Sequence, residues 1–202
     1  MTSDAEQRVL RLFARVTEAL ARATWALLSA DPGLGRSVVD DDEEIDRQVG
    51  STEETLWQDL DAIIGSSREA RHLIRLLFVL SELERSADLA EHIAQRAIYG
   101  LGGEMTPASR GIVQRMSEVA IDMWRAASDV FASGKPGTVD LDETDEELDI
   151  LHERLTAEVA RGSMQPPIAA QVTLLARFYE RLGDHAVNLS RRLGPPESSP
   201  EA

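Results

Sequence analysis

The chain contains no cysteine. That excludes a disulfide framework and any thiolate metal site. Aromatic residues make up only 4% of its 202 residues, and no segment alternates apolar and polar positions with β-branched enrichment, so a sheet-based fold is not expected. No apolar run approaches the length of a membrane span; the best candidate, Leu73 to Leu80, is broken by Arg75. The opening residues MTSDAEQRVLRLF lack the basic-then-apolar pattern of an export signal. A soluble, cytoplasmic protein without membrane insertion is therefore expected. Positive charge is scarce too. Lys135 is the sole lysine among 21 basic residues, and 36 acids leave a formal net charge of −15. Such a surface repels phosphate backbones and anionic lipid, so nucleic-acid binding is not expected. It suits cations and basic partner surfaces.

What is abundant is Ala, Leu, Arg and Glu, the helix formers. Six long helical segments are predicted, at about 4–30, 37–64, 68–98, 107–133, 140–161 and 167–193. The breakers between them are DPGLG (Asp31 to Gly35), Gly65, YGLGGEMTP (Tyr99 to Pro107), GKPG (Gly134 to Gly137) and Gly162 with QPP (Gln165 to Pro167). Thr106–Pro107 has the form of an N-cap and first turn. Short links imply antiparallel neighbours. The expected fold is all-α: two pseudo-repeated three-helix bundles, residues 1–102 and 103–194, with a disordered tail at 195–202.

The repeat can be read directly. Setting Glu84 on Glu180 aligns ERSADLAEHIAQRA with ERLGDHAVNLSRRL, and five of 14 positions are identical. The preceding segments match as well, DEEID (Asp42 to Asp46) against DEELD (Asp145 to Asp149). Each half thus carries a D-x-x-x-D helix followed by an E-x-x-x-D helix. A period of about 96 residues marks a duplicated domain and not a solenoid. At 100° per residue the apolar stripe of the sixth segment runs through Val172, Leu175, Ala176, Tyr179, Leu182, Gly183, Ala186, Leu189, Ser190 and Leu193, with Glu180 and Asp184 on one flank. Leu76, Leu80, Leu83, Ala87, Ala90 and Ala94 form the third-segment stripe, with Glu84 and Asp88 on the same flank. Asp42 with Asp46, and Asp145 with Asp149, flank the stripes of the second and fifth segments.

In an antiparallel hairpin these flanks face either toward or away from one another. If toward, each half gathers four carboxylates in one groove at similar height. Two charges about 5 Å apart repel by about 3 kcal/mol at an effective dielectric of 20. Protonation, arginine or a cation must then relieve them, and carboxylate-only sites suit magnesium, calcium, manganese or iron. Acid-x-x-x-acid is a weak pattern in so acidic a chain; its fourfold recurrence by repeat, flank and height carries the weight. Other chemistry is poorly supported. The single Glu-x-x-His, Glu69 to His72, has no partner for a di-iron bundle. GLGG (Gly100 to Gly103) lacks the lysine and strand of a phosphate loop. His92 and His185 are expected on solvated faces, His152 at a boundary, and Trp25, Trp57 and Trp124 in the core or at an interface.

ERLGDHAVNL, Glu180 to Leu189, resembles the PhoU family of phosphate-uptake regulators, whose repeats end in a helix reading E-R-(I/L)-G-D-H-A-V-N-I-A. The first copy is looser: Glu84, Arg85, Asp88 and Ala90 match, while Ser86, Ala87 and Leu89 depart. The resemblance spans about residues 5 to 194. It implies two three-helix bundles and multinuclear metal at the E/D-x-x-x-D motifs, with iron, manganese, magnesium or zinc as the ion. The ligands carried over would be Asp42, Asp46, Glu84 and Asp88 in one half, and Asp145, Asp149, Glu180 and Asp184 in the other. It further implies a non-enzymatic, homodimeric adaptor between the ATPase subunit of the phosphate ABC transporter and a membrane sensor histidine kinase, repressing the phosphate-starvation response. Two alternatives are an accessory subunit of a low-affinity phosphate or anion permease and a carboxylate-bridged metal enzyme.

Overall fold

The computed structural model describes residues 4–63, 67–135 and 139–193. Among these there are seven helices and no strand: α1 (Asp4–Ser29), α2 (Pro32–Ala62), α3 (Ser67–Ile98), α4 (Leu101–Glu104), α5 (Pro107–Ser133), α6 (Leu141–Ala160) and α7 (Pro166–Leu193). No described helix is long and apolar enough to cross a membrane. The expected ends at Ile64 and Gly65, the Pro136–Gly137 part of the fourth link and the 195–202 tail lie outside the described residues.

The link DPGLG is narrower than expected. Ala30 turns the chain at φ 54°. Asp31 then caps α2, its Oδ1 accepting from the N–H groups of Gly33 (2.9 Å) and Leu34 (3.0 Å). Pro32 takes the first turn, where its missing N–H costs nothing, so α2 begins before Ser37. The Gly-rich link after α3 also winds into one turn, α4. Its path depends on Gly102, where a Cβ would lie 1.8 Å from the Leu27 carbonyl oxygen. The Arg110 guanidinium donates to the carbonyls of both Gly102 and Leu28, joining α4 to the end of α1. Thr106 caps α5 as expected, accepting from Ser109 N–H at 3.1 Å.

Helices α1, α2 and α3 pack on one another, as do α5, α6 and α7. The two triads meet along α1 against α5 and α3 against α7, and one apolar core runs through both. Both crossings are antiparallel. Phe13 lies by Trp124 (ring centroids 5.9 Å) while Thr24 meets Ser117 (3.0 Å). Likewise Phe78 lies under Arg192, Ser86 meets His185, and His92 stacks on Phe178. Reciprocal antiparallel contacts are what a two-fold relation between duplicated halves produces.

The stripes expected on α3 and α7 are buried, Ser190 only in part, but both helices bury more than one stripe. Val79, Glu82, Ser86 and Leu89 on α3, and His185 and Val187 on α7, are also buried, because each helix serves its own triad and the seam between triads. The seam is polar in two places. Thr24 Oγ1 lies 2.6 Å from the Tyr179 hydroxyl and accepts from Ser117 Oγ at 3.0 Å. Ser86 Oγ donates to the Glu82 carbonyl at 2.7 Å and lies 2.9 Å from His185 Nδ1. His185 is thus a seam residue and not a solvated one; burial, with Arg181 and Arg85 adding to it, lowers its pKa to about 4, so it is neutral at pH 7. His92 is half-buried and stacks on Phe178, 5.4 Å between centroids. Trp124 is core, donating to the Leu182 carbonyl at 3.1 Å. Trp25 and Trp57 are instead 68% and 49% exposed, outside the core of the chain.

Gly102→Ala should lower stability by about 2 kcal/mol or more, a fall of about 5 °C in Tm for a chain of this length. Gly103→Ala, where a Cβ meets nothing within 4 Å, should leave Tm unchanged or slightly raised; thermal unfolding followed at 222 nm compares the two.

Candidate metal centre

Between α2 and α3 the acidic flanks face each other. Ile45 and Val49 on α2 and Leu80, Leu83, Ala87 and Ala90 on α3 are buried in the shared core, and that packing sets the rotation of both helices. Gly35 brings them close: a Cβ there would stand 3.0 Å from the Ala94 carbonyl oxygen. Asp42, Asp46 and Asp88 each then offer a carboxylate oxygen, the three lying within 4.8 Å of one another. Among the described residues no other set of three His, Asp or Glu side chains does so. Asp42 is the deepest, only 9% exposed. Desolvation, followed by the charges of Asp46, Glu91 and Asp88, raises its pKa from 3.8 to about 7.

Glu84 stands beside this trio and not within it. Burial raises its pKa, with Asp88, Asp46 and Glu53 adding repulsion and Arg85 opposing. Asp88 is raised by burial and then by Asp46, with His92 opposing. Glu91 and Glu53 thus belong to the same acidic groove, although neither sits in a D/E-x-x-x-D pair. Glu91 is three residues from Asp88, a helical neighbour on the same side, and that spacing is the signal by which it is legible.

The second half repeats the arrangement with differences. Asp145 on α6 is raised to about 6 by burial, then by Asp149, Asp184 and Asp142, while Arg191 lowers it. The helices approach closely because residue 183 is glycine: a Cβ there would come within 2.7 Å of both Asp145 Oδ1 and Leu148 Cδ2. Asp145, Asp149 and Asp184 therefore share a groove. Glu180 does not turn its charge into it free of partners; its carboxylate is held by Arg177 one turn earlier on α7. Arg191 pairs with Asp142 at 2.6 Å.

Chemically, these grooves are oxygen-only donor sets whose members resist ionising together. The fit is to hard or intermediate cations such as magnesium, manganese or iron; zinc, which favours nitrogen and sulfur, fits less well. Glu82, Ser86 and His185 form a separate buried cluster at the seam.

The description "PhoU domain" matches residues 9–97 and again residues 113–193, once on each triad. The chain belongs to the PhoU family. Its relatives include the Mycobacterium tuberculosis protein named phosphate-specific transport system accessory protein PhoU homolog 2, 30% identical over 95% of this chain and 92% of that one. The Mycobacterium leprae PhoU homolog 1 is 29% identical over 95% and 88%. In fold, the chain is similar to the crystal structure of PhoU from Pseudomonas aeruginosa (TM-score 0.83, 24% identity, 94% of this chain and 93% of that one). It is also similar to the phosphate transport system regulatory protein PhoU from Streptococcus pneumoniae (TM-score 0.81, 21% identity, 94% and 91%). The family's domain thus falls once on each half of the chain.

In metal-free protein the Asp42 shift has a defined sign. The unfolded carboxyl ionises near 3.8 and the folded one near 7, so the folded state holds the extra proton between those values. The contribution is fully present below about pH 4 and is lost as pH rises through 7. Asp42→Asn should accordingly gain on wild type as pH rises from 5 to 8, by on the order of 2–3 kcal/mol. Chelator-treated samples unfolded in urea at each pH would measure it; a difference that does not grow with pH would contradict the assignment.

Proposed function

We propose that this protein is a regulator of phosphate uptake that works by contact and not by catalysis, with metal held in its acidic grooves. The observation that carries the reading is the convergence of Asp42, Asp46 and Asp88 on helices matched by the PhoU domain. The relatives' names as accessory proteins of phosphate-specific transport support the phosphate assignment. On this reading the protein is cytoplasmic and homodimeric. It docks on the ATPase subunit of a phosphate ABC transporter and on a membrane sensor histidine kinase, restraining the starvation response when phosphate is plentiful.

The residues that would hold metal are Asp42, Asp46 and Asp88, with Glu84 at their edge, and Asp145, Asp149 and Asp184, with Glu180 once released from Arg177. A bound cation supplies positive charge that cancels carboxylate repulsion and ties α2 to α3 and α6 to α7. The chain's own part is to place those carboxylates on rigid, core-packed helices and to leave the long outer helix faces free for partners. The negative field of the whole chain, −15 formally, favours partner surfaces rich in Lys and Arg.

Protein purified without chelator should carry bound iron, manganese or magnesium by elemental analysis, and Asp42→Asn with Asp46→Asn should lose a large share of it. Pull-down against the transporter ATPase and the sensor kinase should recover at least one of them. Equal metal in wild type and variant would remove the metal part of the proposal; binding to neither protein, with or without phosphate, would remove the adaptor part.

A further inference from the structure

We propose that the two halves take up metal unequally: the centre of Asp42, Asp46 and Asp88 fills first, and the second-half centre fills only as its arginines are displaced. This rests on the metal reading above and concerns how this chain divides its affinity between the halves.

Two observations set the halves apart. In the first, Asp42 is nine-tenths buried and, among the described residues, has neither a hydrogen-bond nor an ion-pair partner, and its carboxylate lies with those of Asp46 and Asp88, an oxygen of each within 4.8 Å of the others. Among the described residues no arginine pairs with a member of the trio, although Arg85 bears on Glu84 at its edge. Arg47 pairs with Glu44 at 2.7 Å, and Arg85 lies 3.7 Å from Glu82, on the seam side of α3. Among the described residues no ion pair of the trio has to be broken for a cation to enter. In the second half two arginines already occupy the acidic groove's edge. Arg177 holds the Glu180 carboxylate, and Arg191, paired with Asp142 at 2.6 Å, bears on Asp145. No three oxygens there converge as they do in the first half, among the described residues. A cation must displace Arg177 before Glu180 can ligate.

The order runs against motif preservation. ERLGDHAVNL, the better family match, sits on the more neutralised centre; the looser ERSADLAEHI sits on the one already shaped for a cation. The differences lie in residues outside the motif pairs: Arg177, Arg191 and Asp142 in one half, Glu91 and Glu53 in the other.

Manganese(II) titrated into chelator-stripped, full-length protein, with free ion followed by electron paramagnetic resonance, tests the order. Wild type should show two classes of site separated by about tenfold or more. Asp42→Asn with Asp46→Asn should abolish the tight class and keep the weak one; Asp145→Asn with Asp149→Asn should do the reverse. Arg177→Ala, an exposed change that leaves the core intact, should tighten the weak class several-fold and narrow the gap. Circular dichroism confirms that each variant is folded. Two classes of equal affinity, or loss of the tight class in the Asp145/Asp149 variant, would overturn the ordering while leaving metal binding standing. No manganese bound by wild type would overturn the ordering and the metal reading together.

Discussion

Hydrophobic packing between α2 and α3 holds three aspartates closer together than their charges allow. The energies decide the outcome. Each like-charge pair at about 5 Å costs about 3 kcal/mol at an effective dielectric of 20. Burying one Leu or Ile side chain returns about 1.5–3 kcal/mol. Ile45, Val49, Leu56, Leu80 and Leu83 are all at 3% exposure or below, so the core outweighs the repulsion and the helices do not part. The repulsion is expressed instead as retained protons: Asp42 ionises near neutrality and Asp145 near 6. A groove of this kind competes protons, arginine and metal for one task. The first half leaves it to protons or metal, and the second has already assigned part of it to Arg177 and Arg191.

The duplicated plan gives these grooves a common frame. α3 and α7 each carry an acidic flank toward a neighbour in their own triad and a second buried face toward each other. Ser86, which meets His185 across the seam, lies two residues from both Glu84 and Asp88. Asp184 immediately precedes His185. The acidic centres and the seam are therefore built on the same turns of the same two helices, and a shift of α2 relative to α3 bears on residues that also contact α7. Tyr179, fully buried with its hydroxyl against Thr24, ties α1 to α7 in the same layer.

Much of this was legible in the sequence, for identifiable reasons. Long helices announce themselves by apolar periodicity, and a 96-residue repeat of acidic pairs survives in the residues themselves. The stripe Val172 to Leu193 was read correctly because α7 has one face toward its own triad. The second face is not legible there, because seam burial depends on how two bundles dock, which no single helix's periodicity encodes; hence periodicity puts His185 and His92 in water. DPGLG was read as a break because Pro and Gly mark turns, yet Asp31 and Pro32 also spell a helix start, and that pattern won. Trp25 and Trp57 were expected in the core or at an interface on size alone, and the stripes of α1 and α2 exclude them. The engagement of Glu180 by Arg177 joins residues three apart on one helix, but an acid-x-x-x-acid pattern attends to like charges and passes over the cation that precedes them.

The central claim is that packing creates a cation site from Asp42, Asp46 and Asp88. Anomalous diffraction from a crystal soaked in manganese tests it most directly. The account predicts a strong peak within coordination distance of those three carboxylates. Full manganese exposure with no peak between α2 and α3, or a peak that avoids Asp42, would contradict it.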